Sequence, residues 1–348
     1  MTWLFYLAKQ YALPVVAPLV DYVEAQGLSF GFYVSAKVNR VLPQAWRCHP
    51  VFTDLASARA FGADFVLSPG NFVDFRLPGV KVELFHGIGI EKPVHYQIRH
   101  FFDLYLTSGP AVTHRFQSLK EKYGYFDVIE TGWPKIDYIK RFDGRDLRRR
   151  HSIPEGKRVV LYAPTHSRRM QSAEALLPVL PSTIRDDEIW LCKPHELTDR
   201  SLLAALSALG SDRFRIVNEP DITPYLHLAN VMVSDTSSVL YEFMVLDKPV
   251  VTYRTLDRRD KGIDIQRPDQ LRAAVDRCLA APSEMADQRA RHLREVNPRL
   301  DGNIAKTVFE ALAAIDPKAP LGPRRKPMNL FRKGQLLYHS RYKKGYLR

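Results

Sequence analysis

Val231–Tyr253 reads VMVSDTSSVLYEFMVLDKPVVTY. The apolar run Val231-Met232-Val233 ends in Ser234-Asp235-Thr236-Ser237-Ser238, and Leu240, Phe243, Met244 and Leu246 follow at helical spacing. Asp247-Lys248-Pro249 then leads into a second β-branched run, Val250-Val251-Thr252-Tyr253. The stretch predicts strand, hydroxyl-rich turn, helix and strand. In such a unit the turn lies at the carboxyl end of the first strand, where the helix N-terminus points its free N–H groups into a crevice. Hydroxyls at the positive end of a helix dipole suit a phosphate. Asp, Thr and Ser are also the residues that cap a helix for its own sake, and on this stretch alone the cap is the commoner use.

Outward from this unit, strands and helices alternate. Strands are expected at 30–34, 65–68, 80–85, 104–108 and 128–132, with helices at 15–26, 56–61 and 111–123 between them. Residues 141–158 are charged and turn-rich. Val159-Val160-Leu161-Tyr162-Ala163 then restarts the pattern, with strands at 188–193 and 215–217 and helices at 201–209 and 304–315. Repeated βα units imply parallel sheets covered by helices on both faces. The expected organisation is a domain over 1–140, a linker over 141–158, a second domain over 159–316 and a tail over 317–348. Two doubly wound halves place a site in the cleft facing their strand carboxyl ends.

With 348 residues the chain is long enough for two real cores. Cys48, Cys192 and Cys278 are scattered and odd in number, which suits a reducing cytoplasm. The apolar N-terminus raises a signal peptide, but Lys9, Gln10, Pro14 and Pro18 interrupt it and no basic segment precedes it. No uninterrupted apolar run of about 18 residues marks a spanning helix. Pro317–Arg348 carries ten Lys/Arg and no acidic residue, so the first 316 residues hold only +3 of the net +13. Aromatics and leucines interleave with these cations, as in an arm for an anionic membrane surface. The body lacks a basic helix or a zinc or RNP-type motif, which argues against nucleic acid. A P-loop and a Gly-x-Gly-x-x-Gly fingerprint are also absent from the sequence.

Several strand-end clusters share one order: Leu84-Phe85-His86-Gly87, Thr131-Gly132-Trp133-Pro134-Lys135-Ile136-Asp137, Leu161-Tyr162-Ala163-Pro164-Thr165, Lys193-Pro194-His195, and Ser234–Ser238 through Asp247-Lys248-Pro249. Together they resemble the CDP-glycerol glycerophosphotransferases, the teichoic-acid primases and polymerases. The resemblance is closest over residues 80–265. It implies a GT-B fold, in which two Rossmann-like domains, acceptor-side first and nucleotide-donor second, face a central cleft. It further implies transfer of glycerol phosphate from CDP-glycerol to a hydroxyl of a glycan or lipid-linked acceptor, with release of CMP; with the basic tail, the expected location is cytoplasmic and peripheral on the inner face of the plasma membrane. His86 is then the candidate base, and His195 a phosphate ligand or acid. Gly87, Pro164, Thr165, Lys193, Asp235, Ser237, Ser238 and Glu242 stand at the donor, with Asp235 ordering its turn and Glu242 meeting the ribose.

The sequence departs from the family in places. His86-Gly87 is followed by Ile88 rather than threonine, Lys193 stands where arginine is frequent, and Thr236 replaces a common tyrosine. Losing the fork of arginine leaves a point charge. No carboxylate spacing suits zinc and no Asp-x-Asp ends a strand, so neither metal nor cofactor is expected. Two alternatives stand beside this reading: a GT-B glycosyltransferase using a sugar nucleotide, and a non-catalytic scaffold that binds glycan or membrane.

Overall fold

A computed structural model describes residues 1–342 as two compact units. The first contains residues 1–88, 92–141 and the chain from Glu295 onward; the second contains 89–91 and 142–294. The first unit is built on a seven-stranded sheet whose strands run, in spatial order, Val51–Phe52, Ser29–Val34, Thr2–Leu7, Phe65–Ser68, Val80–Glu83, Leu104–Thr107 and Asp127–Glu130. Every pairing is parallel. The second unit has six parallel strands in the order Phe214–Ile216, Glu188–Cys192, Arg158–Tyr162, Val231–Ser234, Val250–Tyr253 and Ile263–Ile265. Both sheets count outward from their first strand to the third on one side and to the fourth and beyond on the other. This is the doubly wound order, whose reversal opens a crevice at the strand carboxyl ends.

The strand Thr2–Leu7 is absent from the sequence expectation because its continuous apolar run reads equally as a leader. The run is continuous because the strand is covered on both faces, with Trp3, Leu4, Phe5 and Leu7 fully buried. Pro14 and Pro18 do not break the next element, which is the helix Leu13–Ala25. Pro14 sits in its first turn, where no amide partner is lost.

The division of the chain also differs at its far end. The expected domain over 159–316 stops at Arg294, and the chain returns to the first unit. Gly109 is extended, and a side chain there would come within 2.7 Å of the Val296 carbonyl, so the returning segment lies directly on it. Asp137, fully buried, accepts the Ala305 N–H at 3.0 Å at the start of the helix Ile304–Ala313. Phe309 of that helix packs 6.2 Å from Trp3 and 5.5 Å from Tyr22.

The tail is not a free arm. Arg324 donates its backbone N–H to Gly124 (2.9 Å), Lys326 donates to Asp103 (2.6 Å), and Leu336 of the helix Leu330–Tyr342 is buried. The basic residues expected at 343–348 lie outside the described residues.

Candidate functional site

In the second unit the strands Arg158–Tyr162 and Val231–Ser234 are neighbours at the point where the strand order reverses. Their exits, Ala163-Pro164-Thr165 and Ser234–Ser238, therefore meet at the crevice. Ser234 Oγ donates to the Ala163 carbonyl at 2.6 Å. Asp235 is fully enclosed and accepts the Thr165 N–H on both carboxylate oxygens at 3.1 Å. Its Oδ2 also accepts the Ser172 N–H (2.9 Å) and hydroxyl (3.0 Å). A carboxylate surrounded this way holds the two turns together, and its place among the donor contacts becomes a positioning one. Ser172, which no motif marks in the sequence, is the other half of that arrangement.

The hydroxyls of Ser237 and Ser238 behave differently. Both residues are half-buried, and neither hydroxyl has a partner among the described residues. Ser238 is the N-cap of the helix Val239–Met244 yet makes no side-chain cap bond. The capping use of this turn is thus not taken up. The helix itself is only six residues long, and the Leu240 and Tyr241 amides bond back to the Ser237 and Ser238 carbonyls. So short an element carries a small dipole, and the serine hydroxyls are the groups left to meet an anion. Pro164 and Thr165 are buried, and Glu242 is buried rather than solvated.

Lys193 leaves the strand Glu188–Cys192 half-buried, and burial lowers its pKa against the pull of Glu219 and Glu196. His195 is exposed; its Nδ1 accepts the Leu197 N–H at 3.1 Å, and its ring lies 4.1 Å from that of His166. Within this unit Glu91, Lys261 and Tyr241 form a buried group that the sequence did not signal. Glu91 accepts from Lys261 Nζ at 2.7 Å and from the Tyr241 hydroxyl at 2.6 Å.

In the first unit the strand Val80–Glu83 leads into Leu84-Phe85-His86-Gly87. Phe85 adopts φ +59°, a left-handed conformation that a bulky residue enters only when held there. Trp133 does the holding: its indole N–H donates to the Phe85 carbonyl at 3.1 Å, and its backbone N–H donates to Asn297 at 3.0 Å. The Phe85 ring packs edge-on to Phe116 at 5.2 Å. His86 follows this turn, stacked at 5.3 Å on His95 and 5.5 Å from Tyr11, and Gly87 is buried after it. Burial, with His95, Arg99 and Lys92 nearby, pushes the His86 imidazole down to about 3; burial pushes His95 down to about 4. His86 is therefore neutral at physiological pH. Its Nδ1 is buried and has no hydrogen-bond partner among the described residues. Glu83 is raised to about 8 by burial, so its carboxyl is also neutral.

Of the motif residues, Trp133 and Asp137 prove to be supports, one for the His86 turn and one for the returning helix. Elsewhere Glu24, Cys48 and His49 bring ligand-type atoms within 4.8 Å on the surface, although His49 already pairs with Glu24 at 3.0 Å.

The family model for CDP-Glycerol:Poly(glycerophosphate) glycerophosphotransferase matches residues 94–313, well over half of the chain. The chain belongs to this family. The matched span begins after His86 and Gly87 and takes in the other donor-side residues named above, from Pro164 to Glu242. The chain is 29% identical over 171 residues to a teichoic acid glycerol-phosphate primase of Bacillus spizizenii, covering 45% of this chain and 43% of the relative. It is 26% identical over 143 residues to a teichoic acid glycerol-phosphate transferase of Staphylococcus aureus, covering 36% and 35%. The chain thus spans less than half the length of these curated relatives.

Among solved structures, the wall teichoic acid polymerase TagF superposes with a TM-score of 0.67 at 16% identity, over 90% of this chain and 88% of that one. A UDP-GlcNAc 2-epimerase from Neisseria meningitidis bound to UDP-GlcNAc reaches a TM-score of 0.65 at 13% identity, over 90% and 100%. The two parallel sheets are those of the GT-B fold.

Proposed function

We propose that this glycerophosphotransferase-family chain transfers glycerol phosphate, or a closely similar polyol phosphate, from a CDP-activated donor to a hydroxyl of an envelope glycan or lipid-linked acceptor. The observation that carries this reading is the donor turn. A buried Asp235 pins Thr165, while the adjacent Ser237 and Ser238 hydroxyls are left without partners among the described residues. Those hydroxyls and the half-buried Lys193 bind the diphosphate and take up the charge that develops on departing CMP. Neutral His86 accepts the acceptor's hydroxyl proton as the oxygen attacks the β-phosphorus. The new P–O bond forms as the bond from that phosphorus to the CMP oxygen breaks, and CMP leaves with the electron pair. A base held at about 3 is weak in the free protein, and the negative donor raises it toward a useful value.

Binding of the donor is tested by thermal protection with CDP-glycerol, CDP-ribitol and UDP-sugars, followed by CMP release with the protecting nucleotide. CDP-glycerol is expected to protect. Protection by a UDP-sugar alone would replace this reading by a sugar-nucleotide transferase. Turnover retained by His86→Ala would remove the histidine from the chemistry.

The chain works at the cytoplasmic face of an anionic membrane, held there by its tail. No described helix is long and apolar enough to cross a membrane. Exposed Met328, Leu330, Phe331, Leu337 and Tyr338 accompany the tail's cations, and such a mixture suits the bilayer interface.

A further inference from the structure

The amino-terminal edge of the seven-stranded sheet lies opposite the edge that carries His86, and it holds a cavity of about 510 Å³. Lys81 at the start of one strand and Asp103 before the next form one wall, and tail residues from Pro317 to Lys333 form the other. Five cations line it: Lys81, Arg324, Arg325, Lys326 and Lys333. Among the described residues Asp103 is the one carboxylate in the lining, and both its oxygens are already used. Oδ1 accepts from Lys326 Nζ at 2.6 Å, and Oδ2 accepts the Lys81 N–H at 2.9 Å. The Lys81 ammonium reaches the Gly79 carbonyl at 2.7 Å, and Lys333 lies 4.9 Å over the Phe75 ring. Arg325 has no partner among the described residues. Burial lowers Lys81 to about 8, against the pull of Asp103 and with a smaller push from Lys326.

A cavity with this excess of cations, three of them half-buried (Lys81, Lys326 and Lys333) and Arg324 and Arg325 exposed at its rim, is relieved by an anion that brings several acceptor oxygens. A soluble phosphate would satisfy the charge, but it gives no reason for the large apolar side chains exposed on the same tail. Phe331 is 77% exposed, Leu330 69% and Tyr338 59%, all on the helix that also supplies Lys333. Isolated apolar residues are ordinary; five on one basic segment mark an interaction surface. We propose that the cavity receives the phosphate of an anionic lipid headgroup while the exposed side chains of the helix Leu330–Tyr342 enter the interfacial layer of the bilayer. This rests on the membrane reading given above and adds a specific site to it.

The test is co-sedimentation of the full chain with phosphatidylcholine vesicles doped with phosphatidylglycerol. The cavity pair Arg325→Gln/Lys333→Gln is compared with the charge-matched pair Lys318→Gln/Arg341→Gln, two exposed cations of the same tail outside the cavity. Generic attraction weakens either pair roughly 30-fold, at about 1 kcal/mol per cation. A built headgroup site costs the cavity pair about tenfold more, as a lost charge-assisted hydrogen bond does. Lys81→Gln/Arg325→Gln, which leaves the helix untouched, is expected to match the cavity pair. Equal losses in the cavity and control pairs would overturn the site and leave only diffuse membrane attraction. No binding by the unaltered chain would overturn both the site and the membrane reading. A third arm adds inorganic phosphate at constant ionic strength and follows thermal unfolding. If phosphate protects the unaltered chain but not Arg325→Gln/Lys333→Gln, while vesicle binding falls equally in both pairs, the cavity takes a soluble phosphate and the lipid assignment fails.

Discussion

Replacing Trp133 removes an indole N–H that donates to the Phe85 carbonyl at 3.1 Å, immediately before His86. Phe85 sits at φ +59°, which costs about 1–3 kcal/mol for a bulky residue and must be offset by its surroundings. The hydrogen bond is one such offset. Its loss leaves a buried carbonyl unpaired, a penalty of about 1–3 kcal/mol. Trp133 is only 1% exposed, so Trp133→Phe also opens space in the core and confuses the two effects. Substitution by 3-benzothienylalanine keeps the fused ring and removes only the N–H. It should cost about 2 kcal/mol of stability in denaturant unfolding. The larger effect should fall on turnover. If the Phe85 peptide relaxes, the His86 ring moves, and a shift of about 1 Å in a reacting group lowers the rate roughly 100-fold. We expect kcat for CMP release to fall while the KM for the donor holds, because the donor contacts lie in the other sheet's turns. A kcat within about threefold of the unaltered protein, less than 0.7 kcal/mol of barrier, would refute the claim that this bond aims His86.

The remaining expectations concern the donor turn and the histidine pair. Ser237→Ala and Ser238→Ala should change unfolding stability by less than about 0.5 kcal/mol, since neither hydroxyl has a partner among the described residues. Each should weaken donor protection about tenfold, as measured by nucleotide titration of the melting temperature. Asp235→Asn turns an amide NH₂ toward donors at Thr165 and Ser172, so it should lower stability by about 2–4 kcal/mol as well as abolish donor protection. His86 and His95, held at about 3 and about 4, bind protons in the unfolded chain first. Their folded values lie below the ordinary value near 6.5. Stability is therefore insensitive to them above that value and declines as pH falls from there toward 4. Denaturant midpoints measured from pH 7 down to 5 should fall less steeply in His95→Gln than in the unaltered chain, and equal slopes would count against the buried neutral pair.

Much of the fold was legible because its signal is local. Runs such as Val159–Ala163 and Val231–Val233 are apolar throughout, which a strand covered on both faces requires. Turn residues at their ends marked the βα boundaries. Two parts were not legible, and for different reasons. Thr2–Leu7 has the same apolar run, but at a chain start that run is ambiguous with a leader peptide. The return of Glu295 onward to the first unit depends on contacts such as Ala305 with Asp137 and Gly109 with Val296. Those partners are more than 160 residues apart in sequence, and no periodicity within either segment encodes them.

The site shows a second kind of limit. Residue type at a strand end indicates that something polar is needed there, but it does not say whether the group faces a ligand or the protein. Asp235 and Ser237 are neighbours in one motif, yet the first is fully enclosed by Thr165 and Ser172 and the second keeps its hydroxyl open. His86 and Trp133 come from separate motifs, and only one of them has an unpartnered buried nitrogen. What separates a contact residue from a support is the hydrogen-bond inventory of each polar atom. Supports such as Asp235 and Trp133 are partnered by groups that only folding brings near, and Asp137 holds the Ala305 N–H with one oxygen while its other oxygen has no partner among the described residues. The Ser237 and Ser238 hydroxyls and His86 Nδ1 lack partners among the described residues, which is how groups that await a substrate are expected to stand. On that criterion we propose the donor turn and the His86 loop as the places where this chain meets substrate, with Asp235 ordering the first and Trp133 the second.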